Sequence, residues 1–158
     1  MKVQYINSSN GIKNYENSVI AKGETNDCVV RAFASAFEIE YDEAHSIIAK
    51  EFRRVNRKGT LGFGVKMNLL DKNNVTFNGK KISKITHEYD SMLYSVKVNG
   101  VKTLRNTTTS YFLKKYPVGT YIVVVRGHAF TIKDGVVIGN YSDAKKTRKR
   151  ILGAWKIG

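Results

Sequence analysis

Residues 25–37 read TNDCVVRAFASAF, and the chain's one cysteine stands fourth among them. Apolar residues at Val29, Val30, Phe33, Ala36 and Phe37 have the spacing of a helix face. Asn26 and Asp27 both carry side chains that can N-cap a helix, so the pattern predicts a helix starting beside Cys28. A thiol on a first helical turn sits among backbone N–H groups without intrahelical partners, near the positive end of the helix dipole. Both effects favour the thiolate. The competing use of such a cysteine is as a small buried hydrophobe, and the rest of the chain has to decide between them.

Outward from this helix, YDEAHSIIAKEFRRV (41–55) predicts a second one, with Asp42 as cap and Ala44, Ile47, Ile48, Phe52 and Val55 as the buried stripe. Residues 1–23 read as an irregular lead-in. NRKGTLGFGV (56–65) is a glycine-punctuated loop, and a short helix fits VKMNLLDK (65–72). Residues 75–104 read as strand pieces with turns at Asn78-Gly79 and Asn99-Gly100. A third helix fits TTSYFLKKY, ended by Pro117 and Gly119. The period then shortens: YIVVV, GHAFTI and VVIGNY are strand-forming runs, the last two joined by Lys133-Asp134-Gly135 in a hairpin signature. In RILGAWKI the alternation of Ile151, Gly153, Trp155 and Ile157 suits a strand with one buried face. Helices first and an antiparallel sheet second is an α+β layout.

At 158 residues, 42% apolar and 25% charged, the chain is expected to form a single globular domain over 1–158. No run of about 18 apolar residues is present, so no membrane partner is expected. The first residues lack the apolar core of a signal peptide, and one cysteine makes no internal disulfide. A cytoplasmic location follows as the expectation. The charge is unusual: 27 Lys and Arg against 13 Asp and Glu, a net of +14. Such a field draws acidic proteins or nucleic acid. Its densest part is KKTRKR, where Lys145, Lys146, Arg148, Lys149 and Arg150 form a candidate binding patch.

A reactive thiol needs a base. Of His45, His87 and His128, the first lies on the second predicted helix and the second in a polar stretch. His128 follows Gly127 at the head of the hairpin, where a strand holds the imidazole stiffly. With a three-residue loop and a bulge at Gly135, Asn140 faces His128 and can orient it. A two-residue Asp134-Gly135 turn instead puts Tyr141 opposite, and Asp143 is the substitute carboxylate. Cysteine, histidine and a third orienting group follow triad logic in its thiol form.

TNDCVVRAFASAF followed by GHAFTIKDGVVIGNYSD resembles the papain-like cysteine peptidase superfamily, in particular its small phage and bacterial members. In that superfamily the cysteine opens the central helix, the histidine lies on a later strand, and an Asn or Asp further on orients it. The resemblance implies a papain-like fold, with N-terminal helices packed on a C-terminal sheet. It also implies a phage-encoded protein at work in the host cytoplasm. Carried over, Cys28 is the nucleophile and His128 the base, with Asn140 as first choice for the orienter and Asp143 as second. Many members carry a Gln about six residues before the cysteine to stabilise the oxyanion; here that residue is Lys22. Asn26, with the Cys28 N–H, takes that role, or serves only as a cap.

GTLGFG lacks the Lys-Ser/Thr of a phosphate loop, no metal-ligand spacing is present, and no cofactor is implied. The expected function is a cysteine peptidase or amide hydrolase acting on a protein or peptide. The alternative is an inactive papain-like protein that binds an acidic partner or nucleic acid through its basic surface.

Overall fold

The computed structural model describes residues 2–85 and 93–158, so His87 lies outside the described residues. The elements in chain order are β1 (Tyr5–Asn7), a 3₁₀ turn (Tyr15–Asn17), α1 (Val19–Lys22), α2 (Cys28–Phe37), α3 (Tyr41–Glu51), α4 (Phe63–Lys72), β2 (Thr76–Phe77) and β3 (Lys80–Lys84). They continue with β4 (Leu93–Val98), β5 (Val101–Asn106), α5 (Thr109–Lys115), β6 (Thr120–Val125), β7 (His128–Lys133), β8 (Val136–Gly139), α6 (Tyr141–Lys145) and β9 (Gly153–Ile157). The architecture is mixed α+β. β4 and β5 form a separate hairpin, and the other strands make one sheet in the order β1-β8-β7-β6-β9-β3-β2. All its neighbours are antiparallel except β1 and β8, which run parallel.

The sheet is covered on both faces. On one, Phe33, Phe37 and Ile48 from α2 and α3 and Met67 from α4 pack with Ile122, Ala129, Trp155 and Ile157. On the other, Phe112 and Leu113 from α5 pack with Val123, Phe130, Ile132 and Val137. This explains the unbroken apolar run YIVVV: β6 alternates its side chains between two cores, so both sets are apolar. α2 is the most enclosed helix, with eight of its residues buried. It is held to β7 by polar bonds as well as packing. The Thr131 hydroxyl, fully buried, donates to the Ala32 carbonyl at 2.8 Å and accepts from the Ser35 hydroxyl at 2.9 Å.

Several expectations are corrected. The lead-in is not irregular throughout: Tyr5, Ile6 and Asn7 pair with Val137, Ile138 and Gly139 and extend the sheet by one strand. α3 is preceded by Glu40, not capped by Asp42, whose carboxylate accepts from Ser18 Oγ at 2.5 Å. Val55 lies beyond the end of α3 and is 65% exposed. Ile151 precedes β9 and joins the α5 core, whereas Trp155 and Ile157 face the α2 core. The hairpin after β7 has a two-residue turn. Lys133 pairs with Val136, with Asp134 at φ 48° and Gly135 at φ 78°, the paired positive angles of a tight β-hairpin. The three-residue loop that would set Asn140 opposite His128 is therefore not formed. β8 ends at Gly139, and Asn140 starts α6. The expected turns at Asn78-Gly79 and Asn99-Gly100 are present with the same left-handed geometry. No helix among the described residues is long and apolar enough to cross a membrane.

Thr131→Val keeps the shape of the α2–β7 contact and removes its hydroxyl. The expected cost is about 1 kcal/mol, the net worth of an internal hydrogen bond, measured as a lower urea midpoint with unchanged slope. An unmoved midpoint would show that packing alone seats the helix.

Candidate active site

Cys28 is the first residue of α2, and His128 is the first residue of β7. The turn Arg126-Gly127, with Gly127 at φ 69°, brings β6 into β7 and pairs Val125 with His128. α2 crosses β7 so that its N-terminus meets this end of the strand. Residues 28 and 128 thereby line one cleft of about 710 Å³. The thiol and the imidazole are close enough for each to shift the other's pKa through hydrogen bonding and charge.

The third group is Asp143. His128 Nε2 lies 2.9 Å from Asp143 Oδ2, which leaves Nδ1 for the sulfur. Asp143 is buried, and its Oδ2 also accepts from the Asn140 backbone N–H at 2.7 Å. Oδ1 is buried and has no hydrogen-bond partner among the described residues. The carboxylate is thus held by its place in the first turn of α6, in the acidic half of a capping box. Gly139 makes room for it: a Cβ there would stand 2.6 Å from Asp143 Oδ2 and 2.9 Å from Phe130 Cβ. The His128 ring stacks on Phe130, 5.9 Å between centroids and 25° between planes. Of the two orienters weighed, Asp143 touches the imidazole. Asn140 lines the cleft and holds Asp143 through its backbone.

The electrostatics follow from these contacts. Burial disfavours the Cys28 thiolate, but the His128 hydrogen bond and the N–H groups of Ala129 and Val29 outweigh it and lower the thiol pKa from its ordinary 9.0. The Asp143 hydrogen bond, then that of Cys28, raise His128 from 6.5 to about 9 against the opposing effect of burial. Each shift favours the charged form of its group, and the thiol and imidazole titrate as a coupled unit.

Asn26 also lines the cleft, at φ 53°, with its side-chain amide donating to the Arg57 carbonyl at 3.1 Å. That bond ties the segment before Cys28 to the loop 53–60. Glu24 completes the tie. Its buried carboxylate accepts from Arg54 at 2.5 Å and from the Arg57 N–H at 2.7 Å, and lies 2.7 Å from His45 Nε2. Burial works against its charge, but these three partners pull its pKa from 4.5 down to about 2. Immediately before Cys28, Asp27 accepts from Arg31 Nε at 3.0 Å and from the Tyr41 hydroxyl at 2.7 Å. Arg31 continues to Ser8 and Tyr15.

The segment Lys145–Arg150 does not line the cleft. Lys145 ends α6, and residues 147–150 dock on the start of α5 through backbone bonds from Thr109 and Ser110 to the Lys149 and Thr147 carbonyls. The reading of the sequence missed the helix α6 and the Glu24 and Asp27 clusters. Asn140-Tyr-Ser-Asp143 carries the spacing of a capping box and was the available signal for α6. Apart from Asp27 and Arg31, one helical turn apart, the two acidic clusters join residues 14 to 33 positions apart, which left no local signal. In the comparisons with known proteins, no family model, curated protein or solved structure matches the chain.

Two outcomes follow. Iodoacetamide alkylation of Cys28 should persist well below pH 8. His128→Ala or Asp143→Asn should slow it at pH 6.5 by roughly tenfold or more, since a one-unit rise in thiol pKa costs a factor of ten in thiolate. Asn140→Ala, which keeps the backbone donor to Asp143, should cost much less. Equal losses for Asp143→Asn and Asn140→Ala would remove Asp143 from its place as orienter. Glu24, depressed in the folded state, adds stability that is present above about pH 4.5 and lost as pH falls toward 2. Glu24→Gln should therefore flatten the acid limb of the stability–pH curve. An acid limb identical to the parent's would show that Glu24 adds no pH-dependent stability.

Proposed function

We propose that the protein is a cysteine-dependent hydrolase of amide bonds, a peptidase of papain-like type acting on a protein or peptide. The observation that carries this reading is the chain of contacts from Cys28 to His128 to Asp143 within one open cleft. The fold class and the order of the three groups are compatible with the resemblance of the sequence to small phage-encoded members of that superfamily.

In this reading the Cys28 thiolate adds to the carbonyl carbon, and the C=O electrons move onto oxygen. The Cys28 backbone N–H, an orphan donor by its position at the helix start, stabilises the oxyanion. As the intermediate collapses, the C–N bond breaks and the His128 imidazolium gives its proton to the departing amine. A thioester remains. Neutral His128 then takes a proton from water, the hydroxide adds to the thioester, and the C–S bond breaks to release a carboxylic acid and restore the thiolate. Asp143 holds the ring so that Nδ1 meets the sulfur and stabilises the imidazolium that the cycle passes through. No step uses a cofactor.

One observation favours the alternative of an inactive protein that binds an acidic partner or nucleic acid. The residue nominated as second oxyanion donor, Asn26, spends its amide on the Arg57 carbonyl, and Lys22 stands at the usual Gln position. The two readings separate on turnover.

Incubated with a proteome-derived peptide mixture and read by mass spectrometry, the parent protein should generate new termini. Cys28→Ser and His128→Ala should reduce them by at least about a hundredfold, the usual scale for losing a nucleophile or a general base. The rate should fall on the basic side near pH 9, where His128 loses its proton. Equal cleavage by the parent and Cys28→Ser would refute the assignment.

A further inference from the structure

We propose that the cleft selects an acidic peptide segment, attracted by Arg57, Lys58 and Arg126 at its rim. The proposal rests on the hydrolase reading above and names the substrate class of that site.

Each carboxylate in and behind the cleft has an internal partner. Asp27 is paired with Arg31, Asp143 with His128, and Glu24 with Arg54. The one positive charge of the His128 imidazolium faces both the Cys28 thiolate and Asp143, so these three groups together carry one negative charge. Against that single charge stand exposed cations that have no internal counter-charge. Arg57, Lys58 and Arg126 are exposed and make no ion pair among the described residues. Each lies within two residues, along the chain, of a residue that lines the cleft. Gly59, which lines it, follows Lys58, and Gly127, which lines it, follows Arg126.

These cations are displayed from pinned backbone. The Arg57 carbonyl accepts from Asn26 at 3.1 Å and from Thr25 at 3.3 Å, and its N–H donates to Glu24. The Lys58 N–H donates to the Val55 carbonyl at 3.1 Å. Arg126 sits in the two-residue turn between β6 and β7. Cations fixed around a concave site focus their field into it and raise the local concentration of anionic ligands. A basic peptide meets uncompensated like charge at the same places. Single-stranded nucleic acid shares the negative charge but also wants exposed aromatic faces for its bases. The aromatic residues lining the cleft besides His128, Phe63 and Phe130, are both buried. The charge in KKTRKR, the densest in the sequence, adjoins no lining residue along the chain, its nearest being Asn140.

The test uses two fluorescent peptidyl vinyl sulfones of equal length, one glutamate-rich and one lysine-rich, and follows their labelling of Cys28 on the full chain. Each rate is taken relative to iodoacetamide on the same protein, which cancels differences in thiol reactivity. The acidic probe should label roughly tenfold faster than the basic one at low salt, and the ratio should shrink several-fold at about 0.5 M salt as exposed charges are screened. In the triple variant Arg57→Gln, Lys58→Gln, Arg126→Gln the ratio should fall to within about twofold of unity. A parent that labels equally with both probes overturns the proposal, as does a triple variant that keeps the parent's preference. Protection of Cys28 from the acidic probe by a single-stranded oligonucleotide but not by polyglutamate overturns it in favour of nucleic acid. If neither peptidyl probe labels Cys28 and His128→Ala leaves the iodoacetamide rate unchanged, the hydrolase reading has failed and the substrate class fails with it. Preferential labelling lost in the triple variant, with His128-dependent alkylation, supports both.

Discussion

A threonine hydroxyl buried between helix and sheet sets how far α2 lies along β7. Thr131 bonds to Ala32 and Ser35 on the side of α2 that faces the sheet. Slipping the helix by one residue would break both bonds and move Phe33 and Phe37 out of their places against Phe77. Polar bonds in an apolar contact discriminate more sharply than packing does, because each broken partner is left unpaired in a medium without water. With that register fixed, the start of the helix coincides with the start of the strand. Cys28 and His128, 100 positions apart in the chain, meet there.

The same reasoning explains why the surroundings of the thiol are so polar for a position beside a core. Three carboxylates, Glu24, Asp27 and Asp143, sit at or near the base of the cleft with little or no exposure. Each is charged only at the cost of desolvation and so needs donors held in place. Glu24 finds them on the loop 53–60, Asp27 on α2 itself and on α3, and Asp143 on His128 at the start of β7. The pairs tie down the segment before Cys28, the first turn of α2 and the imidazole. Stability and reactivity thus draw on one set of contacts. The buried ion pairs are weak as a source of folding energy and strong as constraints on geometry.

What the sequence made legible follows physical range. The helix from Cys28, the strands after Gly119 and the two Asn-Gly turns depend on residues a few positions apart, and their period and turn chemistry stand in the chain. The pairing of Cys28 with His128 was readable because each sits at the end of its element, so only the juxtaposition of two ends had to be inferred. Of the two residues weighed as third group, the one that touches the imidazole was ranked second, because the ranking hinged on one residue of turn length. Asp134-Gly135 makes a tight turn without a bulge, β8 stops at Gly139, and the contact to His128 comes from a helical turn rather than a strand. β1 escaped notice since three residues pairing parallel to a distant strand leave no period to detect. The charged rim was hidden for a similar reason: a net charge says nothing about which cations have partners.

The position of β9 has a consequence for how the chain comes to be folded. Last in chain order of the nine strands among the described residues, it lies in the interior of the large sheet, with β6 on one side and β3 on the other. While the chain is being synthesised, β6, β7 and β8 can pair as a local meander, and α2 can settle on it. β2, β3 and α4 have no strand to join until Gly153–Ile157 has emerged. Until then the edge of β6 that pairs with β9, from Thr120 to Val124, stands open, and Ile82 on β3 has no partner strand toward β6. Such exposed strand edges are where nascent chains aggregate, and pairings this distant in sequence form slowly. Trp155, at the centre of β9, closes the seam against Phe63 and bonds Asn68 through its indole N–H at 2.9 Å. Its burial therefore marks the moment when the two halves of the sheet become one.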